Sequence, residues 1–337
     1  MLICSPVVSI IILNFNGKRF LDMCISSILD QDFTNFEILF VDNASTDGSV
    51  EYIKTKFGYD SRIKIIQNDY NSGAVEGNNI GIRNANPSAS YIFLLNNDTE
   101  LGPNWLSSMV KVMENNPQIG AAGSKQYFMN ERKRLQGIGS FIDCCGFNHQ
   151  IGENQIDFGQ YDREIIPIFA SGTTALFIRS VLLKKIGLLD PMYHFGFDDV
   201  DLCWRIWLSG HEVVCVSKCI TYHRVSGTPR NLSRVLFHRE KNRIMITIKN
   251  YGLYYQLRFL PFIFAFDLSQ LLVYSLTNNY SSFQSIVQAL IWDIKHFKHM
   301  WHQHLKIKYC VRKVSDKEIS RHMFKINITE LWSRIGT

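Results

Sequence analysis

The 337-residue sequence predicts an α/β fold. A mostly parallel central sheet is flanked by helices, and a helical region follows it. Three observations predict this. Short β-branched and aromatic runs alternate with helical patterns, the mark of βαβ units. Polar clusters follow the first, second and fourth runs, and in one open sheet such clusters converge on one crevice. Composition changes after about Pro229, and residues 235–310 become helical, aromatic and partly very apolar.

The elements follow in order. Pro6 to Leu13 is a continuous apolar strand closed by Asn14-Phe15-Asn16-Gly17. Lys18 to Gln31 carries apolar residues at helical spacing (Phe20, Leu21, Cys24, Ile25, Ile28, Leu29). Phe36 to Val41 is a second buried strand, ending in Asp42-Asn43 and a run through Ser49. A helix from Ser49 to Phe57 and a strand from Arg62 to Gln67 come next. Asn71 to Asn84 opens with glycine and continues as a helix. Tyr91 to Leu95 is the fourth strand, and Asn96, Asn97 and Asp98 stand at its tip. Pro103 to Asn115 is helical, and Ile119 to Gly123 is a strand. Residues 131–166, rich in glycine, read as short strands and loops on the acceptor side. Phe169 to Ile178 returns to the core, and Val181 to Ile186 is a short helix. Asp198 opens a helix that stops at Gly210. His211 to Val216 is the last strand, with Tyr222-His223 closing the sheet.

A net charge of +6 and a pI near 8.8 lack the basic concentration of a dedicated nucleic-acid binder. Eight cysteines include no C-x-x-C pair and mostly sit in apolar contexts. Buried thiols in a reducing compartment are expected. The N-terminus has no basic n-region, so its apolar run reads as the first strand and not as a signal peptide.

Phe259 to Leu276 is the one stretch apolar enough to suggest a membrane span. Its apolar residues each contribute about −0.3 to −0.6 kcal/mol at a bilayer centre, whereas Asp267 costs about +2.5 to +3.5 kcal/mol. Pro261, Ser269, Gln270 and Ser275 add to the cost, and the sum is near zero. Two readings stay open: a helix lying on the membrane interface, or a cap on the main domain. Lys295, Lys298, Lys306, Lys308, Arg312, Lys313 and Lys317, interleaved with Phe297, Trp301 and Tyr309, suit an anionic membrane surface. His296, His299, His302 and His304 have no carboxylate or thiolate spaced with them, so a metal cluster is not expected there.

The strand tip at Asp98 carries the first chemical expectation. A short carboxylate beside an amide oxygen suits a hard divalent cation that keeps waters and bridges phosphates. Taken alone, Asn-Asn-Asp-Thr also reads as a turn with a helix cap. Three polar clusters in one sheet favour the site.

The motifs together resemble bacterial family-2 glycosyltransferases of GT-A fold, in the rhamnosyltransferase-like group. They are Val8–Gly17, Val41–Ser49, Asn71–Gly81, Leu95–Asp98, Phe197–Arg205 and Tyr222-His223, and the resemblance covers roughly residues 6–228. It implies a catalytic domain over residues 1–230 and a helical, aromatic and basic region over 231–337. It implies that Asp42 accepts from a pyrimidine imide, since a carboxylate can only accept. Asn14, Asn16, Asn43, Asn71, Gly73, Asn79 and Asn97 complete the donor site. Gly77 and Gly81 serve either close nucleotide approach or helix packing. Asp98 holds Mg²⁺ or Mn²⁺ on the diphosphate, with His223 as a further ligand. Asp199, with Asp198 beside it, is the general base that deprotonates an acceptor hydroxyl, and the product is inverted. Asp201 reads as a helix cap. Trp204 and Trp207 form an acceptor-side wall or pack in the core.

Two departures weaken the pattern. The common Asp-x-Asp is Asn96-Asn97-Asp98, one ligand charge short, and Glu-Asp is Asp198-Asp199. The expected partners are a nucleoside-diphosphate sugar and a glycan or polyprenyl-linked glycan acceptor. The expected location is the inner face of the cell membrane. A non-catalytic sugar-nucleotide binder or scaffold is the alternative. A nucleotidyltransferase would need a more glycine-rich first loop, and a processive synthase would need several spans and a Gln-x-x-Arg-Trp motif. The sequence has neither.

Overall fold

The computed structural model describes residues 7–224 and 232–324. The expected boundary at 230/231 and the first residue of the expected first strand, Pro6, lie outside the described residues. In chain order the elements are β1 (Val8–Asn14), α1 (Lys18–Leu29), β2 (Phe36–Asp42), α2 (Ser49–Phe57), β3 (Ile63–Gln67), α3 (Gly73–Asn84) and β4 (Tyr91–Asn96). Then come β5 (Thr99–Leu101), α4 (Trp105–Asn115), β6 (Ile119–Phe128), β7 (Glu131–Gly137), β8 (Ser140–Ile142), β9 (Asn148–Gln150), β10 (Ile166–Pro167) and β11 (Ala175–Arg179). The chain continues through α5 (Ser180–Ile186), α6 (Asp198–Leu208), β12 (Glu212–His223), α7 (Leu232–Asn250), α8 (Leu253–Leu276), α9 (Tyr280–Lys306) and α10 (Asp316–Ile319).

The sheet runs β10-β12-β6-β11-β4-β1-β2-β3, with β5 on β12 and β7 on β6. The half from β4 to β3 is parallel. β1 and β2 are buried on both faces, which explains their unbroken apolar runs. Asn14 pairs in register with Asp42, and Leu13 with Asn96. Three polar strand ends therefore stand level at one rim of the sheet. β11 enters antiparallel on β4, with Ala175 opposite Leu95. This turns the chain back at the same rim.

Several expected bounds move. β6 extends five residues beyond Gly123, to Phe128. Its extension pairs with β7 and with the far half of β12. β12 does not stop at Val216: the register shifts between Val216 and Ile220, and the strand resumes to His223. Such a bulge re-aims a strand without ending it. Within and just past the 169–178 stretch that returns to the core, the ladder strand is Ala175–Arg179. Residues 171–174 form the loop that later matters to the site. The described cysteines are free thiols, most of them buried.

The C-terminal helices join the main core. Ile244, Met245 and Ile248 of α7, with Tyr251 just beyond it, share one apolar cluster with Tyr193, Trp204 and Leu208. Asp267, the costly residue in the apolar run, is buried and paired with Arg243 of α7, which also binds Glu240. Desolvation of both partners is thereby offset inside the helical layer. The other side of α8 exposes Leu257, Leu268, Leu272 and Leu276. Among the described residues, α8 is the one helix long and apolar enough to cross a membrane.

Candidate active site

The rim of the parallel half is a hydrogen-bonded lattice. Asn14 Nδ2 donates to Asp42 Oδ1 at 3.0 Å and to Ser45 Oγ at 3.1 Å, and Asn14 Oδ1 accepts from Asn97 Nδ2 at 2.6 Å. Asp42 Oδ2 accepts from the Ser45 amide at 2.8 Å. Asn14 and Asp42 are buried, so the sheet interior presents the carboxylate in one orientation. Asn16, at φ 52°, accepts the Thr46 amide at 2.8 Å and so ties the first loop to the second. Gly17 has no room for a side chain: a Cβ there would lie 2.1 Å from Asn97 Nδ2 and 2.6 Å from Asn14 Oδ1. No local sequence pattern marks this glycine, whose requirement arises only when strands 1 and 4 meet.

Asn43 and Asn79 are used structurally. Asn43 Nδ2 donates to Asn71 Oδ1 and the Gly73 carbonyl, and Asn43 Oδ1 accepts from Asn68 Nδ2 and Ser72 Oγ. It shapes the loop before α3 from below. Asn79 is turned away from the expected donor side. It is buried, donates to the Leu189 carbonyl at 2.9 Å and accepts the Leu189 amide at 3.1 Å. Both ends of its amide are committed, which corrects the expected nucleotide contact. Gly73 is at φ +82° with open space where a Cβ would stand, as a close backbone approach requires. Gly77 and Gly81 pack against Leu13 and Ile11, the helix-packing alternative.

Asp98 and His223 are brought together by the antiparallel pairing of β5 with β12, in which His223 faces Thr99. His223 Nε2 lies 3.1 Å from Asp98 Oδ1, and His223 Nδ1 lies 2.8 Å from Gln136 Oε1. Gln136, on β7, was invisible in the sequence. Among the described residues no cluster of three or more His, Cys, Asp or Glu could hold a metal. Asp98 and His223 could supply two ligands to an ion whose remaining positions were phosphate oxygens and water.

Asp198 and Asp199 open α6 behind Phe197, which sits at φ 68°. Asp198 is buried and Asp199 half-buried. A Cβ on Gly172 would lie 3.4 Å from Asp199 Oδ2, so the carboxylate rests on the 171–174 loop. The Thr174 carbonyl in turn accepts the Asn96 amide at 3.1 Å. Asp199 and Asp98 thus stand at the same rim. Burial pushes the Asp199 carboxyl up, against the pull of the Val200, Asp199 and Thr173 amides. Burial also raises Asp198, and the neighbouring Asp199 charge raises it further. The two titrate as a pair.

Asp201 is not the expected cap, since side chains take up its carboxylate. It is fully buried among Arg205, Lys249, Asn250 and the Tyr193 hydroxyl. Burial opposes its charge, yet Lys249 and Arg205 hold its carboxyl down at about 2. Trp204 and Trp207 make no acceptor wall. Trp204 is fully buried, edge-on to Phe169 and Tyr251. Trp207 is buried against His322 and donates to the Phe169 carbonyl. Helical spacing put both on the face that packs on the sheet and α7, so the core alternative holds.

The family model described as "Glycosyl transferase family 2" matches residues 9–184, just over half of the chain. The chain belongs to glycosyl transferase family 2. An uncharacterised glycosyltransferase of Haemophilus influenzae is 35% identical over 119 residues, which is 35% of this chain and 36% of that protein. The glycosyltransferase GlyG of Streptococcus pneumoniae is 27% identical over 235 residues, 66% of this chain and 73% of GlyG. The match thus spans little more than a third of the first relative's length. Among solved structures, S. aureus TarS 1-349 in complex with UDP aligns at TM-score 0.56 and 16% identity, covering 95% of this chain and 94% of that one. The mannosyltransferase PcManGT of Pyrobaculum calidifontis, in complex with GDP-Man and Mn²⁺, aligns at TM-score 0.53 and 14% identity over 98% of this chain and 88% of its own. These likenesses show the fold, a central sheet flanked by helices of GT-A type with C-terminal helices.

Proposed function

We propose that this family-2 protein is an inverting glycosyltransferase acting in cell-surface polysaccharide synthesis. It moves a sugar from a nucleoside diphosphate, a dTDP-rhamnose-like or UDP-sugar donor, to a hydroxyl of a glycan or lipid-linked glycan. The observation that carries this is the shared rim. Asp199 rests on the loop whose Thr174 carbonyl holds Asn96, and Asp98 follows Asn96 by two residues.

Asp199 takes the acceptor O–H proton as that oxygen attacks the anomeric carbon. The bond from that carbon to the phosphate oxygen breaks, and its electron pair leaves with the diphosphate. One displacement inverts the configuration. Asp98 and His223 would hold Mg²⁺ or Mn²⁺, which when bound neutralises charge on the departing diphosphate. Asp42, held by Asn14 and Ser45, faces the base, with Asn16, Asn71, Gly73 and Asn97 around it. The exposed leucines of α8 and the basic stretch after Lys295 support peripheral contact with the cytoplasmic face of a membrane. The test is a screen of UDP-, dTDP- and GDP-sugars with and without Mn²⁺, with the anomeric configuration of the product read by NMR. A nucleotide sugar that is bound but never transferred or hydrolysed, across the whole screen, would favour the scaffold alternative instead.

A further inference from the structure

α7 is buried along most of its length, yet one of its faces is polar. Lys241, Asn242, Lys249 and Asn250 are each at most 2% exposed. At about 100° per residue Asn242 and Lys249 lie about 20° apart, with Lys241 and Asn250 on their two flanks, so the four side chains span about half of the helix circumference. All four bind the segment Asp190–Asp201. Lys241 Nζ donates to the Met192 carbonyl at 2.6 Å. Asn242 Nδ2 donates to the carbonyls of Phe195 and Gly196, both at 2.9 Å. Lys249 Nζ lies 2.5 Å from Asp190 and 3.1 Å from Asp201, and Asn250 Nδ2 donates to Asp201 at 2.9 Å.

The gripped segment needs gripping. His194 has φ 54°, Gly196 71° and Phe197 68°, so three of four successive residues are left-handed. Two of them carry side chains that disfavour that conformation, and such backbone persists only where surroundings over-determine it. Asp198 and Asp199 follow at once. Asn242 meets this segment with both N–H bonds of one amide, and the two carbonyls dictate which way the amide faces. Buried polar groups are costly unless satisfied. A helix that merely capped the sheet would present apolar residues here.

We infer that α7 is a positioning helix for the catalytic carboxylates, and that Asn242 is the residue that sets the approach of Asp199. The helical region after β12 is then part of the catalytic apparatus. The inference rests on reading Asp199 as the base, so the test separates the two.

Asn242→Leu keeps the volume and removes both N–H groups. With the best nucleotide sugar from the screen, kcat should fall on the order of 10–100-fold, the usual cost of a displacement near 1 Å. Calorimetric affinity for UDP, dTDP or GDP, whichever the wild type binds, should stay within about twofold. Hydrogen exchange at the amides of residues 195–201 should accelerate. If Asn242→Leu does not fold, Lys241→Met is read the same way. Wild-type kcat in the readable variant, while Asp199→Asn is inactive, overturns the inference. So does a matching loss of nucleotide affinity, which would mean general unfolding. An active Asp199→Asn overturns the base assignment instead, whatever Asn242→Leu does.

Discussion

His223 presents Nε2 to Asp98 at 3.1 Å while Gln136 Oε1 stands 2.8 Å from Nδ1. An amide oxygen only accepts, so with this amide orientation the proton sits on Nδ1. Nε2 then faces a carboxylate with a lone pair, unless a second proton or a cation lies between them. Two adjacent ligands of an octahedral ion at about 2.1 Å stand about 3.0 Å apart. The pair is thus spaced for the ion that the loss of the first Asp of Asp-x-Asp had put in doubt. On the proposed reading His223, on a strand more than a hundred residues away, would be the further ligand beside Asp98.

The metal prediction follows from that pair. Asp98→Ala should abolish transfer with an unchanged circular dichroism spectrum. Gln136→Leu should weaken the Mn²⁺ requirement curve by about 10–100-fold, the usual cost of removing a group that orients a ligating histidine. Full activity of Asp98→Ala, or of wild type in excess chelator, would end the metal assignment.

Asp42 gives a different signature. Its contacts with a base would be the same in ground and transition states, so Asp42→Ala should raise the donor KM more than it lowers kcat. Losing the acceptor of Asn14 Nδ2 and of the Ser45 amide should also cost about 1–3 kcal/mol of stability by denaturant titration. Equal activity with purine and pyrimidine donors would count against base recognition.

The parallel half was legible because β1, β2 and β4 are mostly apolar runs with a polar stop, and buried parallel strands are written that way. The second half was less so. β6, β7 and β12 pair across a bulge, and no local pattern announces a register shift. At the site, Asp98 could be named from its strand end, and Asp199 from the family resemblance of the motif that opens its helix. Asn79 and the two tryptophans could not be sorted, because helical spacing says which residues share a face but not what that face meets. Asn79 meets Leu189, and Trp204 meets Tyr251 of the region after α7. Asp267 read as an obstacle to a membrane span; its partner Arg243 lies on another helix and explains it.

Membrane contact makes a separable prediction. The protein should cosediment with anionic phosphatidylglycerol vesicles at low salt and be partly released by high salt or alkaline wash. Leu268→Ser with Leu272→Ser should reduce binding without lowering the melting temperature, since both side chains are exposed. Resistance to both washes, with the C-terminal region reachable from outside, would mean a true span. No binding at any salt would leave α8 as a cap.

The sharpest prediction concerns Asp199. Asp199→Asn nearly preserves shape and removes the proton acceptor. General-base catalysis supplies roughly 10²–10⁴-fold, so kcat should fall on that scale with donor affinity nearly unchanged. Asp198→Asn and Asp201→Asn should cost less in kcat. Asp201→Asn should instead cost stability, because it leaves Lys249 and Arg205 buried with one partner fewer. The pH dependence has a definite sign. Burial raises the Asp199 carboxyl above its ordinary value of 3.8, so the folded protein holds that proton more tightly than the unfolded chain. Its contribution to stability is complete below that ordinary value and is lost as pH rises through the raised folded value. Activity runs the other way. The base works only when ionised, so kcat should rise with pH along an acid limb displaced above the usual carboxylate range. Asp199→Asn should lose that limb and be at least as stable as wild type at neutral pH. An Asp199→Asn enzyme within about threefold of wild type, or a product that retains the donor's anomeric configuration, would overturn the assignment.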